Sequence, residues 1–316
     1  MSKSYFEILR PGINSTFQDL GRFNQHHIGI PLSGVMDKRN YLIGNKLVGN
    51  SNNISAIEFA YQGPILKIKS AKVIAAITGN VTFQILRANS NIEKGKCYET
   101  FELNDGDQID IISTNKSVYG YFFINGGFEA ETYWESFSIN TRAKLGPNEG
   151  AKFSANQKLF IKNKENKFQK KRIEYISSKI EFIRVLKGTN FNYFSEEGKN
   201  NFFTKEFVVS KLTDRMGMRI EGPKIENIVE TNIRSEGLIK GVIQVPGDGN
   251  PIIMLSDYGT IGGYPKIAIV ISADHDRLTQ LVPGSKIKFK SVELKEAENL
   301  FKLYEIETNN ILNQIR

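Results

Sequence analysis

Short apolar runs rich in β-branched and aromatic residues recur along this chain, and most are closed off by Gly, Pro, Asn or Asp. Residues 65–68, 73–77, 108–112, 118–123, 252–255 and 267–271 are of this kind. Runs this short are too brief for the buried face of a helix, but a strand needs only a few residues of alternating or continuous apolar character. The pattern predicts a mainly β protein, of the barrel or sandwich type.

Few segments read as helix. Residues 37–48 do: Asp37 is placed to cap the start, and Gly49 follows the end. Residues 274–281 form a second candidate, closed by Pro283-Gly284, and the tail over 292–315 carries Leu, Phe and Ile at helical spacing. Two pairs of segments echo each other. Glu58 to Pro64 resembles Met218 to Pro223, and Asp105 to Ile111 resembles Pro283 to Phe289. Either the two halves share a strand order, or common turn chemistry repeats by chance. With the charged run from Lys162 to Arg172 between them, the expected organisation has four parts. These are an N-terminal β lobe (1–161), a charged linker (162–172), a C-terminal β lobe (173–292) and a terminal helix (293–316).

Composition narrows the function. The 316 residues carry 21 Phe and 12 Tyr, enough bulky apolar side chains for a sizeable core. The net charge of +8 admits a nucleic-acid partner, but the basic run lacks an aromatic array or a base-reading module, so none is expected. The single cysteine, Cys97, excludes an internal disulfide and a Cys-rich zinc site. Neither an N-terminal apolar signal core nor an apolar run of membrane-spanning length is seen, so a soluble cytoplasmic protein without a membrane partner is expected.

Three Gly- and Pro-rich polar segments are the candidate site. They cover Pro11 to Asp37, Lys240 to Pro251, and Asp257-Tyr258-Gly259-Thr260-Ile261-Gly262-Gly263-Tyr264-Pro265-Lys266. The third places an acid, a hydroxyl, a Gly-Gly pair and a lysine within ten residues. Gly262 and Gly263 let backbone N–H groups approach a ligand. Lys266 supplies a positive charge for a carboxylate, carbamate or phosphate. Asp257 is placed to orient that lysine or take a proton, and Arg215 offers a fork donor for a carboxylate. The P-loop and the Gly-x-Ser-x-Gly signature are absent. His26 and His27, read as neighbours on a strand, would point to opposite sides, and with only His275 elsewhere no metal site is expected.

These segments resemble the family of 5-oxoprolinase C subunits, also called KipA-type and found in the carboxyltransferase region of urea amidolyase. The resemblance runs in order through Thr16-Phe17-Gln18-Asp19-Leu20-Gly21-Arg22, Gly29-Ile30-Pro31-Leu32-Ser33-Gly34-Val35-Met36-Asp37 and Asn45-Lys46-Leu47-Val48-Gly49-Asn50. It continues through Asp214-Arg215-Met216-Gly217, Ser235-Glu236-Gly237, Gly241-Val242-Ile243-Gln244-Val245-Pro246 and Gly262-Gly263-Tyr264-Pro265-Lys266. It implies a cyclophilin-like β-barrel fold with two β lobes and a C-terminal helix. It also implies a KipI-type B subunit and an A subunit as partners, with a small-molecule substrate.

Two activities follow from the resemblance. One is ATP-dependent hydrolysis of 5-oxoproline to glutamate by the complex, with Mg2+ accompanying ATP. The other is transfer of a carboxyl group between carboxybiotin and a urea-like amide, with biotin arriving on another protein. A KipA-type regulatory binding role is a third reading. For the first, Lys266 is expected on the anionic or developing-oxyanion group, Asp257 and Asp37 as acids that orient or transfer protons, and Arg215 and Gln244 as substrate holders. Gly262, Gly263, Tyr264 and His27 complete the expected contacts. The chain departs from the family pattern at Glu135-Ser136-Phe137-Ser138, where Phe137 stands at the usual arginine position.

Overall fold

A computed structural model describes residues 3–51, 53–162, 167–175 and 181–315. The fold is mainly β and divides into two compact units. The first comprises Met1–Arg22, Ser33–Ile176 and Thr308–Arg316; the second comprises Phe23–Leu32 and Ser177–Glu307. This differs from a cut at a single linker. Residues 23–32 leave the first unit to join the second, and the terminal helix is shared out between the two.

The first unit holds two antiparallel sheets. One runs, in spatial order, Lys158–Phe160, Tyr5–Arg10, Ile65–Lys69, Gln108–Thr114, Val81–Leu86 and Ile92–Lys94. The other runs Thr16–Gln18, Ala56–Ala60, Tyr119–Ile124, Val73–Thr78 and Thr100–Leu103. Their inner faces share one core that includes Phe6, Phe17, Phe59, Phe122 and Phe128. The strand Tyr119–Ile124 is buried along its whole length, which is why it reads as a continuous apolar run rather than an alternating one.

The second unit is built on an eight-stranded sheet, ordered Lys286–Ile287, Phe207–Thr213, Gly217–Glu221, Ile252–Met254, Val242–Gln244, Lys266–Val270, Ile183–Lys187 and Phe289–Ser291. A two-stranded ribbon, Glu236–Gly237 with Ile261–Gly262, stands apart from that sheet. Phe202 and Phe289 stack face to face at 4.4 Å, with Phe207 edge-on to Phe289.

Four α-helices complete the described chain. Helix α1, Lys38–Leu47, starts where expected: the Asp37 carboxylate accepts from the Asn40 amide, and Gly49 follows with φ +72°. Helix α2, Glu196–Thr204, has no counterpart among the expected helices, although Ser195 caps it and Glu196 and Glu197 favour its positive end. Helix α3, His275–Thr279, is preceded by a single 3-10 turn, and α4 spans Leu294–Gln314.

The sequence echo has one structural counterpart. Gly106 donates to the Ile68 carbonyl at 3.0 Å while Ile68 donates to Asp107 at 3.0 Å; Gly284 donates to Val209 at 2.8 Å while Val209 donates to Ser285 at 2.9 Å. Both glycines have φ near +90°, at 87° and 88°, a conformation that glycine adopts without a Cβ clash. The Gly-Pro pairs do not take part in this match: Gly63 precedes the strand of Ile68, whereas Gly222 follows that of Val209.

The charged run also differs from its expected form. Residues 163–166 lie outside the described residues. At its far end the run is tied down: Thr100 donates to the Lys171 carbonyl at 2.9 Å, Ile173 donates to Tyr98 at 3.0 Å, and Lys170 pairs with Glu99 at 2.9 Å. The edge strand Thr100–Leu103 and Tyr98 just before it supply these backbone partners, which charge density alone does not reveal.

Candidate functional site

The second unit gathers most of the expected residues. Lys266 opens its strand directly across from Gln244, at a break in register. Asn190 brackets the Lys266 backbone: its side-chain oxygen accepts from the Lys266 N–H at 3.1 Å, and its own N–H donates to the Lys266 carbonyl at 3.2 Å. The Gln244 amide donates to the Tyr264 carbonyl at 3.1 Å. A Cβ at Gly262 would fall 2.7 Å from that same amide, and one at Gly263 would fall 3.0 Å from the Ile233 carbonyl. The Gly-Gly pair therefore makes room for Gln244 and for neighbouring backbone, a packing reason beyond ligand approach. The Tyr264 side chain is exposed.

The carboxylate that meets Lys266 is not Asp257. Lys266 Nζ donates to Glu236 Oε2 at 2.7 Å, across from the small ribbon. The lysine side chain is 4% exposed and the glutamate side chain 44%. The bond from Lys266 holds the Glu236 carboxyl below its ordinary value. Glu236 is visible in the sequence only as part of the Ser235-Glu236-Gly237 resemblance; pairing it with a lysine 30 positions on requires the ribbon.

Asp257 instead clamps Arg215. Arg215 Nε donates to Asp257 Oδ2 at 2.8 Å and Nη2 to Oδ1 at 3.1 Å, and the Asp257 N–H returns to the Arg215 carbonyl at 2.8 Å. Both side chains are largely buried. The fork expected to hold substrate thus holds Asp257, which fixes the guanidinium's direction. Nearby in the chain, Lys240 donates to Ser256 at 3.1 Å.

The histidine pair lies on a 3-10 turn, His26–Ile28, ended by Gly29 with φ +82°, rather than on a strand. A glycine in the left-handed region breaks extended backbone there. His27 is exposed, whereas His26 is half-buried with its ring 5.7 Å from that of Tyr258.

Asp37 belongs to the first unit and serves its helix. Its carboxylate also accepts from the Asn40 side chain at 2.6 Å, and its N–H donates to the Tyr121 hydroxyl at 2.8 Å. Glu58, equally buried, accepts from the Met36 N–H at 2.8 Å. Burial, followed by the Glu58 and Asp37 carboxylates, pushes the Tyr121 phenol well above its ordinary value.

A second polar node in that unit centres on Asp19. Its carboxylate accepts from Ser136 Oγ at 2.7 Å, Ser138 Oγ at 2.6 Å, Gly21 N–H at 2.9 Å and Phe137 N–H at 2.7 Å. The buried Arg22 guanidinium donates to the Ser138 carbonyl. The adjoining turn carries Trp134 and Glu135 both at positive φ, 50° and 59°, costly for residues with side chains. Phe137 is fixed by its backbone, and Lys162 Nζ lies 5.7 Å over its ring. Nothing in the spacing of Asp19 and Ser136 announces this node, because it joins residues more than a hundred positions apart.

Among the described residues no group of three or more His, Cys, Asp or Glu side chains is gathered to hold a metal ion, and no helix is long and apolar enough to cross a membrane. Around Lys266 stand its ammonium, the Gln244 amide across the ladder and the Glu236 carboxylate that the ammonium holds; the ammonium suits an anionic group.

Comparisons with known proteins find relatives along nearly the whole chain. The model of the family described as carboxyltransferase domain, subdomain A and B, matches residues 28–291. The 5-oxoprolinase C subunit of Haemophilus influenzae is 32% identical over 310 residues, covering 98% of this chain and 97% of that protein. Its counterpart in Escherichia coli is 27% identical, covering 92% of each. The urea amidolyase of Saccharomyces cerevisiae is 28% identical over 93% of this chain but only 17% of its own length. Among solved structures, the urea carboxylase of Kluyveromyces lactis superimposes with a TM-score of 0.87 at 25% identity, over 98% of this chain and 29% of that one. The protein TTHA0988 gives 0.80 at 27% identity, over 92% and 57%.

Proposed function

Given that the chain belongs to the family of carboxyltransferase domains with subdomains A and B, we propose that it is the C subunit of an ATP-dependent 5-oxoprolinase. It would act with A and B subunits to open 5-oxoproline to glutamate. The observation that carries this reading is coverage: the chain matches the two bacterial 5-oxoprolinase components over 92% or more of both partners, but only 17% of the yeast urea amidolyase.

In this reading Lys266 faces the substrate's anionic group, with Gln244 opposite it holding a polar edge. Arg215, locked by Asp257, presents a fixed positive charge to the developing oxyanion. Asp37, buried at the start of α1, has its two oxygens engaged by Asn40 and acts as a support for the first unit. ATP, when bound with Mg2+, supplies activation of the lactam carbonyl. The nucleotide is assigned to the partner components in this reading.

The test is glutamate release from 5-oxoproline and ATP by the mixture of all three components and by each mixture lacking one of them. Release only from the full set supports the proposal; release without this chain overturns it. The superposition on a urea carboxylase favours one second reading, transfer of a carboxyl group from carboxybiotin on a carrier protein to a urea-like amide. Inhibition by avidin separates that reading from the first.

A further inference from the structure

Lys266 and Glu236 are unequal partners. The ammonium is enclosed at the start of a strand inside the eight-stranded sheet, with Asn190 on its backbone and Gln244 across the ladder. A buried ammonium needs an anion to offset its desolvation. The anion comes from a thin element: Glu236–Gly237 pairs with Ile261–Gly262 through only two register positions. Residues 235–237 are exposed, and there is open space where a Cβ would stand at Gly237. The fixed half of the ion pair is therefore in the sheet, and the replaceable half is on a ribbon facing solvent.

A carboxylate at 2.7 Å from Lys266 Nζ is also what a substrate such as 5-oxoproline would bring. We infer that Glu236 is an internal stand-in for the substrate's carboxylate: it neutralises Lys266 in the empty site and is displaced when a small carboxylate ligand binds. This rests on the role given to Lys266 above. It adds that the subsite selects anions over neutral amides, because only an anion can replace Glu236 without leaving the buried ammonium uncompensated. A tethered carboxylate competes as if present at high local concentration, so its presence weakens the apparent affinity of a free one.

The experiment is calorimetric titration of the full chain with 5-oxoproline and, separately, with 2-pyrrolidinone, the same ring without a carboxylate. With Glu236→Gln, 5-oxoproline is expected to bind about tenfold or more tightly than to the unaltered protein, following from the removed competitor, while 2-pyrrolidinone shows no such gain. Glu236→Asp, which keeps the charge on a shorter arm, is expected to fall between. Adding Lys266→Gln to Glu236→Gln should abolish the gain. Thermal unfolding gives an independent reading: 5-oxoproline should raise the midpoint of Glu236→Gln more than that of the unaltered chain. Unchanged or weaker binding by Glu236→Gln, or an equal gain for 2-pyrrolidinone, overturns the inference. The glutamate-release assay is a separate readout. Tightening without turnover in the complex would retain the stand-in and reject the oxoprolinase assignment; turnover without tightening would do the reverse.

Discussion

Asp257 and Arg215 are joined by three hydrogen bonds, two between side chains and one between backbones, although 42 positions separate them. The pair fixes the guanidinium's plane as well as its charge. Arg215→Lys keeps the charge and loses the fork. The expected result is a drop of at least about tenfold in kcat/KM for glutamate release by the complex, with a stability loss of about 1–2 kcal/mol. Turnover at the unaltered rate would make the pair purely structural.

Lys266→Met removes the ammonium while keeping much of its length. Its partner Glu236 is half in solvent and can be rehydrated, so the fold should survive. Glutamate release is expected to fall by roughly a hundredfold or more, the scale of a lost oriented charge, with a melting temperature within a few degrees of the original.

His275 gives the protein an acid limit. Burial, then the neighbouring Lys240 charge, pushes its imidazole down to about 4, while Nε2 meets the Val270 carbonyl at 3.1 Å and Asp274 and Asp276 pull the other way. The folded value lies below the unfolded value of about 6.5, so folding favours the neutral ring. Its contribution is complete above pH 6.5 and declines as pH falls from there toward 4, by up to on the order of 3 kcal/mol. Urea midpoints measured from pH 7.5 to 4.5 should show this slope, and His275→Gln should flatten it.

Cys97 is half-buried, and burial pushes its thiol up to about 11. The thiolate is the reactive form, so at pH 8 a disulfide reagent should label the native protein slowly and the urea-unfolded protein fast. Equal rates would refute the packed-thiol description.

The stacked Phe202 and Phe289 anchor α2 to the edge of the eight-stranded sheet. Phe202→Ala should cost about 3–5 kcal/mol, read as a shift in the denaturation midpoint.

Much of the fold is legible in the sequence. The strands over 65–69, 73–78, 108–114 and 119–124 sit where β-branched and aromatic runs place them, and α1 sits between its cap and its glycine, because both signals are local. Helix α2 is not legible because its cap and acidic turn precede the weakly periodic Lys199-Asn200-Asn201 stretch. The site is legible as a neighbourhood. Lys266, Gln244, Gly262, Gly263 and Tyr264 come together, but the lysine's carboxylate partner is hidden. Asp257 is nearer in sequence, while Glu236 reaches Lys266 only through ribbon pairing. The Asp19 node is hidden for the same reason. A hydrogen bond between residues 19 and 138 leaves no periodic trace.

The excursion of residues 23–32 into the second unit sets an order of events during synthesis. Leu32 packs against Leu238, Val242, Met254 and Tyr258, none of which has been made when Leu32 leaves the ribosome. At about 5–20 residues per second those partners arrive roughly 10–40 seconds later. By the later part of that interval the first unit's strands, the last of them Lys158–Phe160, have all been made, while residues 23–32 still lack the partners they pack against. Fragments cut at residue 176 would each lack what the other holds, so the two units are separable in space but not in the gene.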